Sequence, residues 1–243
     1  LLPCYNEYQN LIILIDKINY LLIKNNFKIK LIIVNDGSTD DIDKKINKLK
    51  QKSKTKIIYI KHKKNLGLNM SLFTGFKKFL TIAKSNDIVV TLDSDNTHPI
   101  SLIPKIVMPI KKKSHDIVIA SRFQKGSKVE GLNLFRIILS EGARVIYKLA
   151  FSISNVRDYT CNFRGYNYNV LKKSNLINKK FFQGKDFSVV ADLLINLNSR
   201  INDVRIKEVP LKLRYDFKIG ESKLKIFKNI FKSILVILRN IIN

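Results

Sequence analysis

Asp93 and Asp95 flank Ser94 at the point where an apolar run ends. Two carboxylates one residue apart can both turn toward a single bound cation. Mg2+ and Mn2+ prefer oxygen ligands and are often shared with substrate phosphates. A D-x-D at such a place therefore suits a site that neutralises a departing diphosphate. In isolation the triplet says little, because surface turns produce it often.

Other polar clusters also follow apolar runs. Pro3-Cys4-Tyr5-Asn6-Glu7 comes after the first, Asp36-Gly37-Ser38 after the second and Ser121-Arg122 after a later one. Glu7 and Asp36 can accept hydrogen bonds from a base or ribose, and Tyr5 can stack on a base. The stretch Asp36 to Asp40 serves equally well as a loop and helix cap. Arg122 supplies a permanent cation for a diphosphate, or is simply an exposed arginine. Gly220-Glu221-Ser222-Lys223 makes a flexible stretch in which Lys223 can close over phosphates. Asp158 and Asp192 are candidate general bases, though each can instead orient Arg164 or cap a helix.

These clusters need a scaffold that brings them to one edge. Short apolar runs at 29–34, 57–61, 87–92 and 116–121 read as buried strands. Between them lie helical patterns. Leu11, Leu14, Ile15, Ile18 and Leu22 share one face of a helix that Asn6 can cap. Leu72, Phe73, Phe76, Phe79 and Leu80 form a second, and Ile103, Ile106, Val107 and Ile110 a third. Such alternation predicts an α/β fold with a mostly parallel central sheet and helices on both faces. In parallel sheets ligands bind beyond the carboxyl ends of the strands, which is where the polar clusters fall.

The second half is more elaborate. Residues 123–135 read as a loop, followed by a helix from about Phe135 to Ser154, an extended stretch from Tyr159 to Tyr166, a helix near Phe187 to Leu197 and a strand from Val204 to Val209. Residues 1–224 then form one catalytic domain. In 225–243, Ile226, Phe227, Ile230, Phe231, Ile234, Leu235, Leu238, Ile241 and Ile242 share a helical face, with Lys225, Lys228, Lys232 and Arg239 elsewhere. That pattern predicts an amphipathic helix lying in a membrane interface.

The 243 residues carry a net charge of +26, with 45 Lys and Arg against 19 Asp and Glu. A basic excess suits an anionic membrane surface, phosphorylated ligands or nucleic acid. Nucleic acid fits poorly: no binding module, basic arm or aromatic-basic interleaving stands out, and carboxylates such as Asp93 and Asp95 repel phosphate without a metal. Cys4 and Cys161 stand in no C-x-x-C pair, which argues against zinc and a disulfide framework and for a cytosol-facing protein. The opening Leu1-Leu2-Pro3 reads as a strand missing its first residues.

The motifs together resemble family-2, GT-A-fold glycosyltransferases, and most of all the dolichyl- or polyprenyl-phosphate sugar transferase branch. The likeness rests on Pro3-Cys4-Tyr5-Asn6-Glu7, Asn35-Asp36-Gly37-Ser38, Asn65-Leu66-Gly67-Leu68, Asp93-Ser94-Asp95 with His98-Pro99, and Ser121-Arg122-Phe123. It continues through Arg136 with Ser140-Glu141-Gly142-Ala143, Asp158 to Arg164, and Glu208-Val209-Pro210 ahead of Gly220 to Lys223. The resemblance implies a Rossmann-like sheet, a nucleotide-diphosphate sugar donor of the GDP-mannose or UDP-glucose type and an inverting transfer. It implies that Pro3, Tyr5, Glu7, Val34 and Asp36 hold the nucleoside, that Asp93 and Asp95 hold Mg2+ or Mn2+ beside Ser94, and that Arg122 and Lys223 hold donor phosphates. Asp95, Arg122 and Arg136 then carry the chemistry. Arg136 and Ser140 fall nearer an acceptor phosphate, with Asp158 and Arg164 as further acceptor-side candidates. Thr97 stands where the family often has a Gln that helps the cation. Arg214 or Lys218 stands in for an arginine the family often places before Gly-x-Ser-Lys.

A sugar hydroxyl as acceptor needs a general base, whereas a lipid phosphate is already anionic and needs cations to hold it. Many cations and no unmistakable base favour a polyprenyl phosphate over a saccharide hydroxyl. The absence of Trp excludes the Q-x-x-R-W motif of processive synthases. The expected setting is peripheral, at the cytoplasmic face of a membrane.

Overall fold

The computed structural model describes every residue except Asn26, Asn133, 177–178, 183–187 and 218–243. The predicted helix over 225–243, together with Lys218 and Lys223, lies outside the described residues. Strand β1 (Leu2–Cys4) leads into helix α1 (Tyr8–Asn25), followed by β2 (Lys30–Asn35), α2 (Ile42–Lys52), β3 (Lys56–Lys61), α3 (Leu68–Ile82) and β4 (Ile88–Thr91). A 3-10 turn at Ile100–Leu102 opens α4 (Ile103–Lys111), and β5 (Ile117–Ser121) follows. Then come β6 (Lys128–Glu130), α5 (Leu134–Phe151), β7 (Arg164–Asn167), α6 (Tyr168–Lys173), α7 (Ser188–Arg200), β8 (Ile206–Pro210) and β9 (Lys212–Arg214), with a last 3-10 turn at Tyr215–Phe217.

β1, β2 and β3 pair in parallel, in the order β1-β2-β3. β4, β7, β5 and β8 pair in that order. The Leu1 nitrogen donates to the Val90 carbonyl at 2.7 Å, and Leu92 N–H donates to the Leu1 carbonyl at 3.3 Å. These bonds set β4 beside β1. The predicted parallel sheet holds except at β7, which runs antiparallel to both β4 and β5. The loop expected at 123–135 contains β6, which pairs in parallel with β9.

Alternation along the strands feeds two apolar layers. Leu31 and Ile33 of β2 and Val118 and Ala120 of β5 join Leu11, Leu14, Ile46 and Ile106 on one face. Ile32, Val34, Ile117 and Ile119 join Leu72, Phe76, Val189 and Leu193 on the other. Side chains on opposite sides of the pleat explain why these runs are continuously apolar. Gly165 lets α4 approach β7: a Cβ there would sit 2.6 Å from Ile106 Cγ2 and 2.9 Å from Ile110 Cδ1.

Asn6 does not cap α1. It takes a positive φ of 54°, and its Oδ1 accepts from Thr39 N–H at 2.7 Å. The first helical bond runs from Leu11 N–H to the Glu7 carbonyl, and the Asp40 carboxylate accepts from Tyr8 N–H at 2.9 Å. Asn6 and Asp40 thus tie the loop after β1 to the loop after β2.

Candidate active site

The carboxyl ends of β1, β2, β4 and β5 carry the clusters the sequence singled out. Thr91 ends β4, and Asp93 and Asp95 follow, both half-buried. Ser94 Oγ donates to the Pro3 carbonyl at 2.7 Å, fixing the carboxylate loop against β1. Asp93 N–H donates to His98 Nδ1 at 3.1 Å, and the His98 ring stacks on Phe163 with centroids 5.1 Å apart. Asn162 Nδ2 donates to Asp93 Oδ1 at 3.0 Å. The turn at Asp95 is closed on itself, since its Oδ1 accepts from Thr97 Oγ1 at 2.7 Å and Thr97 N–H at 3.3 Å. Thr97 is buried and its hydroxyl is directed to Asp95, so it orients that carboxylate.

Arg122 lies across the site at the end of β5. Its Nε and one terminal nitrogen grip the two oxygens of Asp158 at 2.8 and 2.7 Å, and that nitrogen also donates to Thr160 Oγ1 at 2.6 Å. Asp158 is fully buried and accepts further bonds from the backbone N–H groups of Arg122, Thr160 and Cys161. Burial alone would push the Asp158 carboxyl up, but the Arg122 charge and these donors hold it below the usual carboxylate range. An ionised acid so fully occupied is an orienting group for Arg122; it does not fit the role of a proton acceptor. Glu208 Oε1 in turn accepts from Arg157 and Asp158 N–H, each at 2.7 Å, and fixes the loop that carries Asp158.

The structure separates the other candidates. Pro3 lies within β1, and Tyr5 and Glu7 lie in the loop that follows it, where Glu7 Oε2 accepts from Asn10 Nδ2 at 2.6 Å. Asp36 is buried and accepts from Leu66 N–H, Gly67 N–H and the His62 ring at 2.7–2.9 Å. It shapes the loop before α3. The Val34 side chain is wholly within the core. Arg136 and Ser140 are half-buried on α5. Arg164 is fully buried, and its guanidinium donates to the backbone carbonyls of Val190, Asp158 and Tyr159, so it is a structural brace out of reach of an acceptor. Arg214 pairs with Asp216 at 2.6 Å and Glu130 at 3.2 Å. Asp192 is buried on α7.

Two side chains missed in the sequence belong to the site. Asn162 reaches Asp93 from 69 residues away, a pairing with no local signal. Burial pushes the Tyr215 phenol up to about 12; Arg122 opposes this, and the Asp93 and Asp95 charges reinforce it. Tyr215 therefore stays protonated, a neutral hydroxyl that feels the charge of both carboxylates.

Among the described residues, no group of three or more His, Cys, Asp and Glu side chains converges as a metal cage. Two carboxylates at a strand end fit a hard divalent ion whose remaining ligands are phosphate oxygens and water. No helix of the described residues is long and apolar enough to cross a membrane.

Comparisons with known proteins agree with this architecture. A dolichol-phosphate mannosyltransferase of Pyrococcus furiosus is 32% identical over 226 residues, covering 93% of this chain, which spans 58% of that protein's length. A UDP-N-acetylglucosamine–dolichyl-phosphate N-acetylglucosaminyltransferase of Methanococcus voltae is 27% identical over 88% of this chain and 84% of its own. Glucosyl-3-phosphoglycerate synthase of Mycobacterium tuberculosis, solved with Mn2+, uridine diphosphate and phosphoglyceric acid, superposes with a TM-score of 0.68 at 18% identity. That superposition covers 99% of this chain and 76% of the other, and it shows the GT-A fold. The glycosyl transferase family 2 model matches residues 1–174, spanning the carboxylate loop, Arg122 and the Asp158–Asn162 stretch, and the chain belongs to that family.

Proposed function

We propose that the chain transfers a sugar from a nucleotide-diphosphate donor to a polyprenyl phosphate at a membrane surface. The observation that carries the acceptor choice is Asp158. This acid, one of the candidate bases, is saturated with donors and held ionised by Arg122. A phosphate acceptor needs no base. Its oxygen attacks the anomeric carbon on the face opposite the diphosphate. The new C–O bond forms as the bond to the diphosphate breaks, and the electron pair leaves with the nucleoside diphosphate.

Asp93 and Asp95 would hold the divalent cation, Mg2+ or Mn2+, which when bound offsets the leaving group's charge. Arg122, fixed by Asp158 and Thr160, presents its guanidinium to phosphate. Pro3, Tyr5 and Glu7 frame the nucleoside, and Asp36 shapes the wall beside them. Lys223 serves the donor phosphates, and Arg136 and Ser140 meet the acceptor. The two relatives named for dolichyl-phosphate transfer and the Mn2+ and uridine diphosphate bound in the solved neighbour support this reading.

Helix α5 supports a membrane setting. Leu134 and Leu149, 77% and 79% exposed, line one outward face with Ile138 and Val145. Arg136 and Ser140 lie on a more buried part of the same helix. A helix with an uncovered apolar face and basic flanks fits an anionic lipid interface, as does the sequence of 225–243.

The test is a transfer screen over GDP-mannose, UDP-glucose and UDP-N-acetylglucosamine, with and without a short polyprenyl phosphate. Transfer to the polyprenyl phosphate is expected; transfer only to a saccharide hydroxyl overturns the acceptor assignment. Asp95→Ala is expected to cost roughly a thousandfold in turnover, the several kcal/mol that a metal supplies to a developing charge. Wild-type turnover in a folded Asp95→Ala protein removes the metal assignment.

A further inference from the structure

Asn96, directly after Asp95, adopts a left-handed φ of 64°, a conformation that asparagine takes more readily than other non-glycine residues because its short side chain bonds locally. The surroundings here are specific. Asn96 is buried. Its Oδ1 accepts from Lys17 Nζ of α1 at 2.6 Å, and its Nδ2 donates to the Phe217 carbonyl at 3.4 Å. The next residue is held as well, with Arg214 N–H donating to the Thr97 carbonyl at 3.1 Å. Lys17 and Arg214 also meet at the Phe217 ring, 5.2 and 3.8 Å from its centroid. Desolvation and the neighbouring Arg214 charge lower the Lys17 pKa.

Behind the carboxylate loop, α1 and the β9 end thus meet around one asparagine. A cavity of about 550 Å³ opens beside them, lined in part by Lys17, Asn96, Thr97, Arg214 and Phe217. Open space behind the loop means that packing alone does not fix its shape, and the polar contacts must.

We propose that Lys17 and Asn96 are positioning residues for the metal-binding loop, with Phe217 and Arg214 completing a clamp that sets the pose of Asp95. The proposal rests on the assignment of Asp93 and Asp95 to a divalent cation. Asn96 holds the backbone turn whose other end is the Asp95 carboxylate, and Lys17 holds Asn96. Without either contact the turn relaxes into the cavity, and the two carboxylates lose their shared orientation.

The experiment reads Mn2+ binding directly, by the electron paramagnetic resonance signal of free Mn2+, with the metal alone and again with uridine diphosphate. Lys17→Met keeps the apolar stem and removes the ammonium. Asn96→Gly keeps the left-handed backbone and removes the side-chain contacts. Thermal melts and circular dichroism establish that each variant is folded. Both are expected to bind Mn2+ about tenfold more weakly, the low end of what outer partners of metal ligands contribute. Lys17→Arg, which retains a cation over Phe217 and a donor toward Asn96, is expected to recover most of the loss. Mn2+ affinity within twofold of wild type in both folded variants overturns the clamp. Asp95→Ala is titrated in parallel. If it binds Mn2+ as wild type does, the metal reading itself fails, and the clamp falls with it.

Discussion

The ion pair between Arg122 and Asp158 holds the guanidinium at the end of β5 with its counter-ion buried beneath. Two parallel N–H···O bonds fix the guanidinium plane, so the guanidinium is held in one orientation. Asp158→Asn is expected to destabilise the fold by about 3–5 kcal/mol, the usual cost of removing one partner of a buried pair, and to lower turnover through a misplaced Arg122. The sign of the pH effect follows from the lowered Asp158 pKa. Its contribution is fully present above the unfolded carboxylate value of about 3.9 and is lost as pH falls through the lower folded value. Chemical denaturation at a series of acidic pH values is expected to show a shallower acid limb in Asp158→Asn than in wild type. Asp93, Asp95 and Arg122 were legible in the sequence because they follow strands. Asn162 and Tyr215 were not, because each enters the site through a contact far along the chain.

At the scale of elements, the strands and helices of the first half were legible because alternating apolar faces dictate them. The antiparallel direction of β7 was not, although an extended stretch was expected over Tyr159 to Tyr166. Residues Arg164 to Asn167 of β7 carry no apolar run, and backbone pairing with β4 and β5 defines the strand. β7 is tolerated in the middle of the sheet because Gly165 leaves room for α4. Gly165→Ala is expected to cost about 1–3 kcal/mol, the range for an overpacked core, since its Cβ would clash with Ile106 and Ile110 side chains. A lowered thermal midpoint checks this, with turnover per folded molecule close to wild type. The outward face of α5 makes a separate prediction. Ile138→Glu with Leu149→Glu is expected to weaken co-sedimentation with anionic vesicles severalfold while leaving thermal stability unchanged, because both side chains are already exposed. Unaltered sedimentation would point instead to 225–243 as the lipid-binding element.

For the whole molecule, the net charge of +26 is a property of the surface. Among its carboxylates, Asp36, Asp158 and Glu208 are buried and hydrogen-bonded. The basic excess is spread over the outside and suits long-range attraction to anionic headgroups. Such attraction weakens with salt, so the vesicle binding of the wild-type chain is expected to fall between low and physiological ionic strength. The family was legible from motif order across the chain, whereas the partners of Arg164 and Arg214 were not, because a sequence does not reveal which arginines are already paired.

The placement of β7 also orders events in time. β5 pairs with β7 and β8, and both lie later in the chain. While the polypeptide is being synthesised, β1, β2 and β3 can assemble as soon as they emerge, but β5 has no neighbour until residues 164–167 appear. Until then it is an exposed apolar edge, the kind that recruits other chains, and long-range closure of this kind is slow. The same stretch delivers Asn162 to Asp93. The pairing of β7 with β4 and β5 and the arrival of Asn162 at Asp93 are therefore one step.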